Sequence, residues 1–109
     1  MDSYANIRSL MGSGPGREWK QYRLSMARGE FDAALRIARN YELIFDLDDS
    51  LALTILAAEK KKPIFDPMAV RWIKIVDDRG RLTLSELAWL ARTFEALRRG
   101  DRGAAQRLE

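Results

Sequence analysis

From Arg17 onward the apolar side chains recur at intervals of three and four, the spacing that collects them on one face of an α-helix. Trp19, Tyr22 and Met26 mark a first helix, which Gly29 can close in the left-handed conformation. Phe31, Ala34, Ala38 and Tyr41 mark a second. Between Leu51 and Ala58 apolar residues point in nearly every direction, so this third helix is the expected centre of the core, ended by Lys60-Lys61-Lys62 and Pro63. A fourth helix is predicted from Pro67 to about Asp78, with Met68, Ala69, Trp72, Ile73, Ile75 and Val76 on one broad face and Gly80 as its stop. The fifth runs from Leu84 to about Arg99 and is expected to bury Leu84, Leu87, Leu90, Ala91, Phe94 and Leu97. Residues 101–109 add a last, frayed turn or two. No stretch alternates apolar and polar positions between turn signals, so the predicted fold is all-α, a compact single-domain bundle of about five helices.

The helix starts have their own signature. The tripeptide Ile-Phe-Asp occurs at 44–46 and again at 64–66. In the first copy Asp46 can accept from the free amides of the next turn, with Asp48 and Asp49 beside the positive helix end. The second copy leads into Pro67, suited to the first helical position, with Phe65 and Val70 spaced as a hydrophobic staple. Both copies are therefore read as helix starts, Phe buried at the corner and Asp capping, rather than as a repeated binding motif. A third start combines a capping box (Thr83, Glu86) with a staple (Leu82, Leu87). Upstream, residues 1–16 form an expected flexible segment, with a short helix over 4–11 and the breaker run Gly12-Ser13-Gly14-Pro15-Gly16; the helical domain is expected over 17–109.

Within Trp19–Tyr41, Arg28-Gly29-Glu30-Phe31-Asp32-Ala33-Ala34 resembles the turn between the two helices of a tetratricopeptide repeat. Gly29, Glu30, Phe31 and Ala34 match that pattern. Tyr22 stands where the repeat wants a small residue, Tyr41 stands where it wants Ala, and no second copy follows at the required period. The resemblance implies a helical hairpin of that style, not a peptide-binding array. More broadly the chain resembles small, Arg- and Leu-rich helical proteins of GC-rich bacteria, which offer no site residue to carry over.

Composition then narrows the chemistry. There is no cysteine and no histidine, which removes disulfides, thiolate metal sites, a cysteine nucleophile and the usual general base near neutral pH. Fourteen Arg and five Lys stand against sixteen acids, a net charge of +3 spread along the chain, so nucleic acid is permitted but not argued for. Without a basic leader or an apolar run of the roughly 20 residues that span a bilayer, the chain is expected to be cytoplasmic, with no membrane contact.

Candidate sites are few. Asp46, Asp48 and Asp49 lack the spacing of a calcium loop, and Asp77 and Asp78 diverge by about 100° on a helix, so no metal or cofactor is expected. Glu86 or Glu95 has no nucleophile, metal cluster or phosphate loop beside it, so no catalytic residue is assigned. Trp89 falls roughly opposite the expected buried face of the fifth helix, beside Arg92 and Ala96, and Leu24 is likewise out of step with its helix. Either the N-terminal segment or Leu108 covers Trp89, or Trp89 marks an interface. The leading expectation is a non-catalytic interaction module that binds another protein, or itself, through Trp89, Arg92, Ala96 and Leu24. The alternative is a small nucleic-acid-binding regulator using Arg92, Arg98, Arg99, Arg102 and Arg107.

Overall fold

The computed structural model describes residues 14–109, and among them the fold is all-α, with no strand. The helix expected over 4–11 lies outside the described residues. Six helices follow one another: α1 (Gly14–Ala27), α2 (Phe31–Asn40), α3 (Leu47–Glu59), α4 (Phe65–Gly80), α5 (Leu84–Arg98) and α6 (Arg102–Leu108). They divide into two compact units, Met1–Phe45 and Asp46–Glu109, a division that falls inside the stretch expected to form one domain.

In the first unit α1 packs against α2. Helix α1 is described from Gly14, so the stretch 14–16 of the expected breaker run is helical. Its end is closed as expected. Gly29 has φ 71°, Gly29 N–H donates to Met26 O and Glu30 N–H to Ser25 O, the paired bonds of a Schellman motif. Tyr22, Phe31 and Ala34 are buried. Phe45 closes the unit against Trp19 and Tyr22, with ring centroids 5.6 and 5.2 Å apart, and Arg23 lies over the Trp19 ring at 5.4 Å. Tyr41, expected on the buried face of α2, is instead exposed. Helix α2 stops at Asn40, so the helical period no longer carries Tyr41 inward.

In the second unit α3 is central, packing on both α4 and α5, while α6 packs on α5. Seven consecutive-turn residues of α3, Leu51 and Leu53 to Ala58, are buried. Thr54 is among them because its hydroxyl donates to Ser50 O at 2.7 Å, which satisfies the only polar group it brings into the core. Phe94 of α5 meets Phe65 and Trp72 of α4 at centroid distances of 6.2 and 5.7 Å, and the Trp72 indole N–H donates to Leu47 O at 3.0 Å, tying α4 to the start of α3. Helices α4 and α5 form an antiparallel hairpin, joined by Arg81–Thr83: Phe65 and Asp66 at the start of α4 meet Phe94 and Arg98 near the end of α5.

The expected helix starts fare unequally. Asp46 caps α3 in a full capping box, its carboxylate accepting from Asp49 N–H at 2.7 Å while Asp49 accepts from Asp46 N–H. Thr83 and Glu86 form the expected box on α5. The second Ile-Phe-Asp is different. Helix α4 starts at Phe65 itself, its cap Ile64 makes no side-chain bond, Asp66 and Pro67 sit inside the first turn, and Val70 points to solvent, so no staple forms. The reason lies upstream: Phe65 N–H already bonds Lys62 O, so the chain enters the helix with Ile64 as its cap, two residues before Asp66.

Three helix ends close in the left-handed region without glycine: Glu42 (φ 50°), Lys61 (φ 54°) and Arg81 (φ 51°). At the end of α3 the bonds Lys61 N–H to Ala58 O and Lys62 N–H to Ala57 O make a Schellman motif whose pivot is Lys61. The end of α5 repeats it with Gly100, through Gly100 N–H to Leu97 O and Asp101 N–H to Ala96 O. Gly80, expected to stop α4, lies within it, and Arg81 is the residue that turns.

Candidate interaction surfaces

The buried face of α5 differs from the one its leucines suggest. Leu90, Thr93, Phe94 and Leu97 are buried, whereas Leu84, Leu87 and Ala91, expected in the core, are exposed, Leu84 by 85%. Thr93 takes their place by donating its hydroxyl to Trp89 O at 2.7 Å, which makes a polar residue compatible with burial and rotates the core-facing stripe toward it. No residue of α5 before Leu90 is buried.

The same holds for the adjoining half of α4. Phe65 and Ala69 are buried near its start; beyond them Trp72, Ile73, Ile75 and Val76 are only half-buried, and Val70 is exposed. Because the hairpin is antiparallel, the second half of α4 and the first half of α5 lie side by side next to the Arg81–Thr83 connection. The tip of the hairpin thus presents Leu84, Leu87 and Trp89 to solvent, with Ile73 and Val76 incompletely covered. At 100° per residue Leu84 and Leu87 lie about 140–160° round α5 from Trp89, so the tip exposes apolar side chains on both flanks of the buried stripe rather than as one continuous patch.

Trp89 is 41% exposed, flanking the buried stripe of α5 at about 90° rather than standing opposite it. Arg92 is exposed and Ala96 half-buried on the same side of the helix. Leu24 is 50% exposed but belongs to the first unit. Leu84 and Leu87 were missed as surface residues because a leucine at helical spacing is usually read as core; the signal available was that α5 carries apolar residues around most of its girth in its first two turns.

The five arginines of the nucleic-acid alternative do not act as one free set. Arg98 donates to both carboxylate oxygens of Glu95, at 2.9 and 2.7 Å, and lies 3.7 Å from Asp66. Those bonds hold Glu95 below its ordinary pKa and raise that of Arg98. Arg107 pairs with Asp101 at 3.3 Å; the Gly103 N–H, and then Arg107, hold the Asp101 carboxyl below its ordinary value. Arg92, Arg99 and Arg102 are exposed. Arg102 and Arg98 line a groove of about 650 Å³ together with Ala58, Glu59, Lys61 and Leu97.

Asp46 and Asp49 are engaged in their capping box, and Asp77 accepts from Leu82 N–H at 2.8 Å. Among the described residues no group of three acidic side chains is placed to hold a metal ion, and no helix is long and apolar enough to cross a membrane. No family model, no curated protein and no solved structure matches the chain.

Proposed function

We propose that the chain is a non-catalytic protein-interaction module whose contact face is the tip of the α4–α5 hairpin, and that its simplest partner is a second copy of itself. The observation that carries this reading is the exposure of Leu84, Leu87 and Trp89 along one half of a helix whose other half is core. Aromatic and leucine side chains left in water at one end of a packed hairpin contribute free energy only when something covers them, roughly 25 cal/mol for each Å² of apolar surface removed from water. Arg92, exposed three residues on from Trp89, is a second side chain of a type enriched at contact centres. A twofold axis through the hairpin tip would bury the same residues on both copies, the commonest form of pairing. The absence of histidine and cysteine from the sequence supports a binding role over a catalytic one.

The test is the molar mass in solution, by sedimentation equilibrium, of wild type and Leu84→Glu. Leu84 makes no core contact worth preserving at 85% exposure, so the variant should keep its helix content and melting temperature. Wild type is expected to associate to a dimer and the variant to remain a monomer. A monomeric wild type up to millimolar concentration, or a variant that dimerises equally well, overturns the reading.

A further inference from the structure

A second surface lies at the other end of α5, two turns beyond Trp89, and owes nothing to the hairpin tip. The end of α3 and the connection from α5 to α6 enclose the groove lined by Ala58, Lys61, Leu97, Arg102 and Ala105. Its apolar lining is two alanines and a leucine, of which Ala58 and Leu97 are almost fully buried. Its charges do not cancel. Asp66 and Glu95 are occupied by Arg98, and Asp101 by Arg107, while Lys61 and Arg102 form no ion pair with another described residue. Lys60 and Arg99, the exposed capping residues of α3 and α5, flank them, and Glu59 is the one lining acid not engaged by a described cation.

Lys61 and Arg102, about forty positions apart in the chain, therefore converge as a cationic rim beside an apolar lining. Lys61 adds a second observation. It occupies a left-handed pivot, as Glu42 and Arg81 do at two other helix ends, and of the three it alone lines the groove.

We infer that this groove receives an acidic, amphipathic peptide segment of a partner protein, its apolar side chains against Ala58, Leu97 and Ala105 and its carboxylates against Lys61 and Arg102. Charge complementarity selects this occupant. A phosphate backbone fits less well: Glu59 sits in the lining, no aromatic ring is there to stack on a base, and Arg98 and Arg107 are bound to acids.

The experiment uses a displayed library of random 12-residue peptides, selected on the full chain and in parallel on Lys61→Gly/Arg102→Ser. Glycine at position 61 relieves the left-handed strain and residue 102 is exposed, so the double variant remains folded, and circular dichroism verifies it. Peptides that combine Asp or Glu with Leu, Ile or Phe are expected to be enriched on wild type. The leading peptide, made synthetically, is expected to bind the double variant at least tenfold more weakly, and to bind Leu84→Glu as it binds wild type, which separates this groove from the hairpin tip. Enrichment of basic or uncharged peptides, no enrichment, or equal binding to the double variant overturns the inference. So does a 12-nucleotide oligothymidine that binds more tightly than the peptide with a steep salt dependence, which would assign the rim to nucleic acid.

Discussion

Lys61→Gly is expected to stabilise the protein although it deletes a charged side chain and adds no contact. Lys61 is held at φ 54°, where an L-residue with a Cβ is strained by roughly 1–2 kcal/mol relative to the right-handed region. Glycine adopts the same angle freely but loses about 0.5–1 kcal/mol through the larger freedom of its unfolded chain. Since Lys61 is exposed and forms no ion pair with a described residue, little else is lost. The net gain is about 0.5–1 kcal/mol, and with an unfolding entropy near 2.1 cal/mol/K per residue this raises Tm by roughly 2–4 °C. The reciprocal variant is Gly100→Ala. An added Cβ there meets nothing within 4 Å, so its effect is conformational alone: at φ 93° it should lower Tm by a similar amount. Thermal melts followed by far-ultraviolet circular dichroism, with urea midpoints as a second measure, read both. A lower Tm for Lys61→Gly, or an unchanged one for Gly100→Ala, would refute the strain argument at these helix ends.

Thr83→Ala removes one half of the capping box on α5 and is expected to destabilise the chain by about 1 kcal/mol, read as a lower urea midpoint at constant slope. In acid, α6 should loosen: the Asp101 pKa is depressed in the fold, so its stabilising contribution is complete above the unfolded value near about 4 and is lost as pH falls through the lower folded value. The Gly103 amide shift, followed by NMR, should titrate with a midpoint below the ordinary carboxylate value; a midpoint at or above it would contradict the hydrogen bonds drawn for Asp101.

The helical period, the caps at Asp46 and Thr83, and the central place of Leu51–Ala58 in the second unit were all legible in the sequence. These are local matters: a carboxylate or hydroxyl three residues ahead of a free amide bonds it where the helix begins directly after it, as at Asp46 and Thr83, and a helix apolar all round must be surrounded. The end of α3 at Lys60-Lys61-Lys62 was legible, but the left-handed turns at Lys61 and Arg81 were not, because neither carries a glycine signal and both take that angle where the paired carbonyls and the following chain direction require it. The same limit appears at α5, where periodicity names Leu84, Leu87 and Leu90 alike as core and cannot tell which of them a neighbour will reach. Nor does the order of residues alone bring Lys61 to the rim that Arg102 also lines. Local hydrogen bonding and side-chain spacing determine that a segment becomes a helix and where it starts. Which apolar residues are covered, and which distant charges share a groove, depends on how long neighbouring helices run and where they cross, and only packing between elements decides that.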